Sequence, residues 1–156
     1  MRIGFVVNPI AGMGGRVGLK GTDDKVEEAR ARGAEPRAPE RARRFLSTLA
    51  DVAPDAAVVT WGGAMGETPA AEVGVDAEVL GRPAGSETSV ADTREAVRAY
   101  AADGVDLVVF VGGDGTAADV AAALDESGTG AAMLGVPAGV KVYSSVFALS
   151  PEDAAE

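Results

Sequence analysis

The 156-residue chain contains neither cysteine nor histidine. The first absence excludes disulfides, thiolate metal sites and thiol nucleophiles. The second excludes imidazole acid–base chemistry. Aromatic residues make up only 4% against 47% hydrophobic residues, so Ala, Val, Leu and Gly must build the core. No apolar run approaches the roughly 20 residues of a membrane span. Met1 leads directly into Ile3–Val7 with no basic region or cleavage site, so no signal peptide is read and a cytoplasmic location is expected. Positive charge is scarce: Lys20, Lys25, Lys141 and eleven arginines face 24 acids, for a formal charge of −10. That balance argues against a nucleic-acid partner. Any catalysis falls to carboxylates, Lys, hydroxyls, backbone dipoles or a metal. Bound phosphates would meet a negative field, which makes a divalent cation the natural bridge.

What is present is organised around Leu107–Thr116, where five apolar residues run into Gly112-Gly113-Asp114-Gly115-Thr116. The following run, Ala117–Leu124, has helical composition. This pattern predicts a buried parallel strand, a phosphate-sized turn and a helix whose N-terminus faces the turn. The glycines let the backbone approach a ligand with no Cβ in the way, and can take positive φ. Asp114 sits where a carboxylate could hold a metal or accept a proton. A plain strand-to-helix turn with an Asp or Thr cap uses the same residues. Five specialised residues in succession favour the functional reading.

Other segments repeat the scheme. Arg2–Val7 reads as a strand covered on both faces. The loop from Asn8 to Arg16 carries Gly12 and Gly14 in G-x-G spacing, but Val17 stands where a dinucleotide fingerprint needs its third glycine. No G-K-[ST] closes a Walker A loop either. A loose connection and a phosphate cradle fit that loop equally. Thr22–Arg30 reads as a short helix stopping at Gly33, and Pro39 opens a helix continuing over Glu40–Val52, with Ala42, Phe45, Leu46 and Leu49 at helical spacing. Arg37, Arg41, Arg43 and Arg44 read as a solvated face rather than an anion patch. Further strands are expected at Ala56–Thr60, Glu78–Leu80 and Ala131–Val136, and helices at Met65–Val73 and Ser89–Ala102. The second of these helices has Val90, Thr93, Val97 and Tyr100 on one face.

The loop Gly81–Ser89 is rich in hydroxyls, and Thr88 and Ser89 suit a helix cap, the role local evidence favours. Pro137–Ser145 forms another loop, in which position favours a phosphate contact for Lys141 over a solvent role. Ser150-Pro151-Glu152-Asp153 has the cap, proline and acids of a helix start with only three residues left. The chain is therefore expected to be the N-terminal domain of a longer protein. The alternation predicts an α/β fold: a doubly wound, mostly parallel, Rossmann-like sheet with helices on both faces, forming one domain over 1–156.

Gly112–Thr116 after an apolar strand resembles the G-G-D-G-T signature of the superfamily joining NAD kinases, diacylglycerol-type lipid kinases and, more distantly, phosphofructokinases. Asn8-Pro9 with its following glycines resembles the N-P-x-x-G loop of the same superfamily. The Thr88-Ser89 loop sits where those kinases place a phosphate-contacting hydroxyl, and Leu134–Gly139 is similar to their G-x-P-x-G loop. Gly12–Gly21, Ala31–Ala34 and Gly135–Tyr143 look most like the ATP-NAD kinase-like branch.

The resemblance implies a kinase that uses ATP or polyphosphate with Mg²⁺ and phosphorylates the adenosine ribose 2′-hydroxyl of NAD. It implies that Asp114 is the general base or metal-linked carboxylate. It also implies that Gly112, Gly113, Gly115 and Thr116 contact donor phosphates, joined by Asn8, Gly12, Gly14, Thr88, Ser89, Gly139 and Lys141. Two departures stand out. Ala118-Asp119 replaces the Asn-Glu of the lipid kinases, and no Asn-Glu pair of the NAD-contacting kind occurs before residue 156. A β-rich second domain is expected to complete the NAD site, so this chain alone reads as a donor-site half with little or no activity, homo-oligomeric through the full-length protein. A lipid or other small-metabolite kinase and a non-catalytic nucleotide-sensing module are the alternatives. The lack of a basic or apolar membrane patch weighs against the lipid kinase.

Overall fold

The computed structural model describes residues 1–11, 37–85, 88–138 and 155. The helix expected at Thr22–Arg30 and the helix start at Ser150–Asp153 lie outside the described residues. In chain order the elements are β1 (Arg2–Val7), α1 (Ala38–Val52), β2 (Ala57–Thr60), a 3-10 turn (Gly63–Met65), α2 (Glu67–Glu72), β3 (Ala77–Val79), α3 (Val90–Asp103), β4 (Leu107–Gly112), α4 (Asp114–Ser127) and β5 (Ala132–Pro137). The five strands form one sheet of order β3-β2-β1-β4-β5, and every neighbouring pair is parallel. Strand apolarity is explained by the layers above and below. A parallel sheet is covered by its own crossovers, so both faces of its central strands must be apolar.

Alternation sorts the strand side chains between two cores. Ile3, Phe5, Val7, Val109 and Val111 join Phe45, Leu46 and Leu49 of α1 and Ala70 of α2 on one face. Val6, Val108 and Phe110 join Val97 and Tyr100 of α3 and Val120 and Leu124 of α4 on the other. The Phe5 and Phe45 rings stack with centroids 5.3 Å apart. With few aromatics to fill space, close approach does the rest. A Cβ on Gly4 would lie 2.6 Å from Tyr100 Cδ2, so glycine lets that ring lie against β1.

Register fixes the functional edge. Val7 of β1 pairs with Val111 of β4, so β4 ends one residue beyond β1, and the chain continues as Asn8 and as Gly113. The connection after β1 runs through α1 to β2 on one side, and that after β4 runs through α4 to β5 on the other. The two connections part between β1 and β4, the switch point at which open α/β sheets bind ligands.

Several expectations need adjusting. The single helix foreseen at Met65–Val73 is a 3-10 turn and then α2, separated by Gly66 at φ +150, a value side-chain-bearing residues rarely adopt. Val90 does not share the buried face of α3. It is 46% exposed at the helix's first position, and Ala96 fills the face beside Thr93, Val97 and Tyr100. α1 starts at Ala38, one residue before Pro39. β1 falls at Arg2–Val7 as expected, β2, α3 and β5 shift by a residue at their ends, β3 lies at Ala77–Val79 rather than Glu78–Leu80, and α4 extends the expected Ala117–Leu124 run to Asp114–Ser127. Of the arginines read as a solvated face, Arg43 meets Glu72 at 3.7 Å and Arg44 meets Glu40 at 4.0 Å in partly exposed ion pairs, whereas Arg41 departs from that reading, with its Nε buried.

Candidate functional site

Three loops meet above the switch point. Asn8 follows β1, donates its backbone N–H to the Val111 carbonyl of β4 at 2.9 Å, and directs its side-chain amide to Thr116 Oγ1 at 3.2 Å. Its Oδ1 accepts from the Ile10 N–H at 3.4 Å, the local turn that asparagine favours after a strand. The loop after β1 and the first turn of α4 are thereby joined directly.

The β4–α4 turn is built for closeness rather than for unusual dihedrals. None of Gly112, Gly113 or Gly115 has positive φ; among the described residues that conformation is confined to Gly63, Gly66, Gly74, Gly104 and Gly128. Gly112 is needed for another reason: a Cβ there would lie 2.5 Å from Thr116 Oγ1 and 2.6 Å from Thr116 Cβ. The helix cap is Gly113, and no side chain caps α4, so the Asp or Thr cap considered from sequence does not form. A glycine N-cap offers no capping side chain of its own to the first-turn amides of this 14-residue helix. Asp114 occupies the first position of α4 and Thr116 the third.

The third loop arrives from β3. Ser89 caps α3, as local sequence favoured, in a reciprocal box with Asp92. The Ser89 N–H donates to Asp92 Oδ2 at 2.9 Å, and the Asp92 N–H donates to Ser89 Oγ at 3.4 Å. Asp92 Oδ1 also accepts the Ala84 N–H at 3.4 Å, so one buried carboxylate fastens both ends of the segment leading to Thr88. Further back, Arg82 grips Glu67 with two contacts of 2.6 and 2.9 Å, and the Gly63 N–H donates to the same carboxylate. The Arg82 hydrogen bond holds the Glu67 carboxyl below its ordinary value, and Glu67 in turn raises Arg82.

Together the loops enclose a cavity of about 190 Å³ lined by Asn8, Pro9, Ile10, Thr88, Ser89, Val90, Thr93, Thr116 and Asp119. It combines an amide, four hydroxyls, one carboxylate and a short apolar wall. Of the residues singled out in the sequence, Asn8, Thr88, Ser89 and Thr116 come together here, although they span 108 positions. Gly112, Gly113, Asp114 and Gly115 form the adjoining turn and do not line the cavity. Gly12, Gly14, Gly139 and Lys141 lie outside the described residues. Sequence reasoning passed over Pro9, Ile10, Val90, Thr93 and Asp119 as lining residues. Asp119 was legible only as a departure from Asn-Glu, though its place three residues after Thr116, on the same helix face, could have flagged it. Asp119 Oδ1 lies 3.5 Å from Arg94 Nη2 of α3.

Among the described residues, no three Asp, Glu, His or Cys side chains cluster to hold a metal ion. No described helix is long and apolar enough to cross a membrane. A second depression, of about 220 Å³, sits at the opposite, amino-terminal end of the strands among Leu46, Leu49, Pro54, Val58 and Val75.

An all-parallel sheet of order β3-β2-β1-β4-β5 with a polar cavity at its switch point defines a doubly wound α/β domain. Residues 3–156 match the family model of the ATP-NAD kinase N-terminal domain, and the chain belongs to that family. Neither a curated protein nor a solved structure matches it.

Proposed function

We propose that this chain forms the donor side of an enzyme that transfers a phosphoryl group from ATP or polyphosphate to the 2′-hydroxyl of NAD. The observation that carries this reading, beside family membership, is the convergence of Asn8, Thr88 and Thr116 on one cavity adjoining the uncapped N-terminus of α4. Backbone N–H groups at a helix N-terminus attract phosphate through both hydrogen bonding and dipole. In this reading the Gly112–Thr116 turn receives the donor phosphates, and Asn8, Thr88 and Thr116 hold the adjoining part of the nucleotide. Asp114 takes the proton from the acceptor hydroxyl as its oxygen bonds to the transferred phosphorus and the bond to the leaving phosphate oxygen breaks.

With no cluster of three acidic side chains among the described residues, Mg²⁺ would be held through one carboxylate, with phosphate oxygens and water as its other ligands. Asp114 is the residue proposed to hold it. Such an ion would neutralise charge on the transferring phosphoryl group. The acceptor pocket is completed by a second domain, so the chain alone binds nucleotide and turns over slowly or not at all.

A non-catalytic nucleotide-sensing module is the second reading, favoured by Asp114 standing outside the cavity lining. Calorimetry with ATP, polyphosphate and NAD in the presence of Mg²⁺, joined to an assay for NADP, separates the two. Asp114→Asn in the longest form of the protein should abolish NADP formation while largely preserving ATP binding. Turnover unaffected by that change would refute the base assignment, and rapid NADP formation by the 156 residues alone would refute the half-site.

A further inference from the structure

We propose that Asp119, steadied by Arg94, is a ligand-binding carboxylate that accepts hydrogen bonds from the sugar hydroxyls of the nucleotide. This rests on the nucleotide reading of the site and extends it to a residue outside the G-G-D-G-T turn. Asp119 is the one charged side chain among the described residues lining the cavity. A cavity of about 190 Å³ admits a single unit of a nucleotide rather than the whole, since pockets for complete small-molecule ligands run to roughly 300–1,000 Å³. The choice between phosphate and sugar is decided by charge. A phosphate there would face the carboxylate of Asp119 directly, because its ion-pair partner Arg94 stands behind it and no lysine or arginine is among the described lining residues. Sugar hydroxyls donate to a carboxylate and meet further partners in Thr88, Thr93 and Thr116.

Placement along α4 agrees. Asp119 follows Asp114 by five residues, about 7.5 Å along the helix axis at 1.5 Å per residue. Asp119 also lies three residues after Thr116 on the same side of α4, so a sugar attached to phosphates at the α4 N-terminus has both side chains on its side of the helix. The carboxylate is positioned from the neighbouring helix: Arg94 Nη2 lies 3.5 Å from Asp119 Oδ1, with the Asp119 side chain only 19% exposed. Arg94 Nε is buried without a hydrogen-bond partner. That unused donor on the same guanidinium lets the pair tighten when a ligand draws on the carboxylate. Arg94 is thus a positioning residue and Asp119 the contact.

The test is calorimetry on the 156-residue chain with three probes in Mg²⁺ buffer: ATP, 2′,3′-dideoxy-ATP and ribose 5-phosphate. A hydrogen bond to a charged group predicts that Asp119→Ala weakens ATP and ribose 5-phosphate binding by about tenfold or more. Dideoxy-ATP, lacking both hydroxyls, should change by less than about twofold, since uncontacted groups contribute little. Arg94→Ala should weaken ATP selectively in the same sense, and Arg94→Lys should restore part of it. The hydroxyl-dependent difference is insensitive to general loss of folding. If Asp119→Ala does not fold, the isosteric Asp119→Asn carries the same comparison. Equal losses for ATP and dideoxy-ATP, or none for either, overturn the proposal. Wild-type protein that binds ribose 5-phosphate through Asp119 but no nucleotide keeps the sugar contact alone and overturns the nucleotide reading on which the rest depends. Nucleotide binding that ignores Asp119 does the reverse.

Discussion

The side-chain amide of Asn8 donates to Thr116 Oγ1 at 3.2 Å, tying the loop after β1 to the first turn of α4. This single bond spans the switch point, so its loss should affect the cavity more than the fold. Asn8→Ala is expected to lower stability by about 1 kcal/mol, the usual net worth of one hydrogen bond, in a urea titration. Affinity for ATP should fall by more than that loss alone predicts, because the same side chain lines the cavity. Equal affinity in mutant and wild type would remove Asn8 from the site.

Gly112 owes its identity to Thr116. The Cβ introduced by Gly112→Ala meets Thr116 Oγ1 at 2.5 Å and Thr116 Cβ at 2.6 Å, and the latter is anchored to the helix backbone. The first turn of α4 must move, at about 1–3 kcal/mol by analogy with overpacked cores. Differential scanning calorimetry should show a lowered Tm, and the Asn8–Thr116 bond should be broken. An unchanged Tm would mean that α4 slides without resistance.

Much of this was readable in advance. The apolar strands, the parallel sheet and the helical face of Ala42, Phe45, Leu46 and Leu49 follow from periodicity, because burial on both strand faces leaves a plain compositional mark. The β4–α4 turn was legible because glycine, aspartate and threonine are specialised residues. The break at Gly66 was not, since only the Thr60 hydroxyl brought alongside in three dimensions makes a side chain there impossible: its Cβ would lie 1.8 Å from Thr60 Oγ1. Asp119 was missed as a cavity residue for a related reason. A carboxylate on the solvent-looking side of an alanine-rich helix gains meaning only when α3 brings Arg94, Thr93 and Thr88 against it.

Two ionisable groups couple the stability of the fold to pH. Burial pushes the Tyr100 phenol well above its ordinary value of 10.0, and its hydroxyl donates to the Phe5 carbonyl at 2.7 Å. A raised folded value means that this contribution is complete below pH 10.0 and is lost as pH rises beyond it. Tyr100→Phe should flatten the alkaline arm of a Tm-against-pH curve while lowering Tm at neutral pH. A spectroscopic titration showing free ionisation of Tyr100 in folded protein would contradict this.

At the acid end the Arg82 hydrogen bond lowers Glu67 from its ordinary 4.5. A lowered folded value means that the stabilisation is complete above pH 4.5 and disappears as pH falls through the lowered value. Arg82→Ala should therefore lower Tm at pH 7 slightly, as exposed ion pairs do, and abolish that part of the acid dependence. Identical acid profiles would mean that the Arg82–Glu67 pair contributes nothing to the fold.

The most direct test is a backbone-amide NMR titration of the wild-type chain with ATP and Mg²⁺. Perturbed and slowed amides should concentrate at Asn8, Thr88 and Gly112–Thr116, with Asp119 following. Shifts confined to the opposite groove near Leu46, Val58 and Val75, or no shifts at saturating ATP, would contradict a nucleotide site at the β1–β4 switch point.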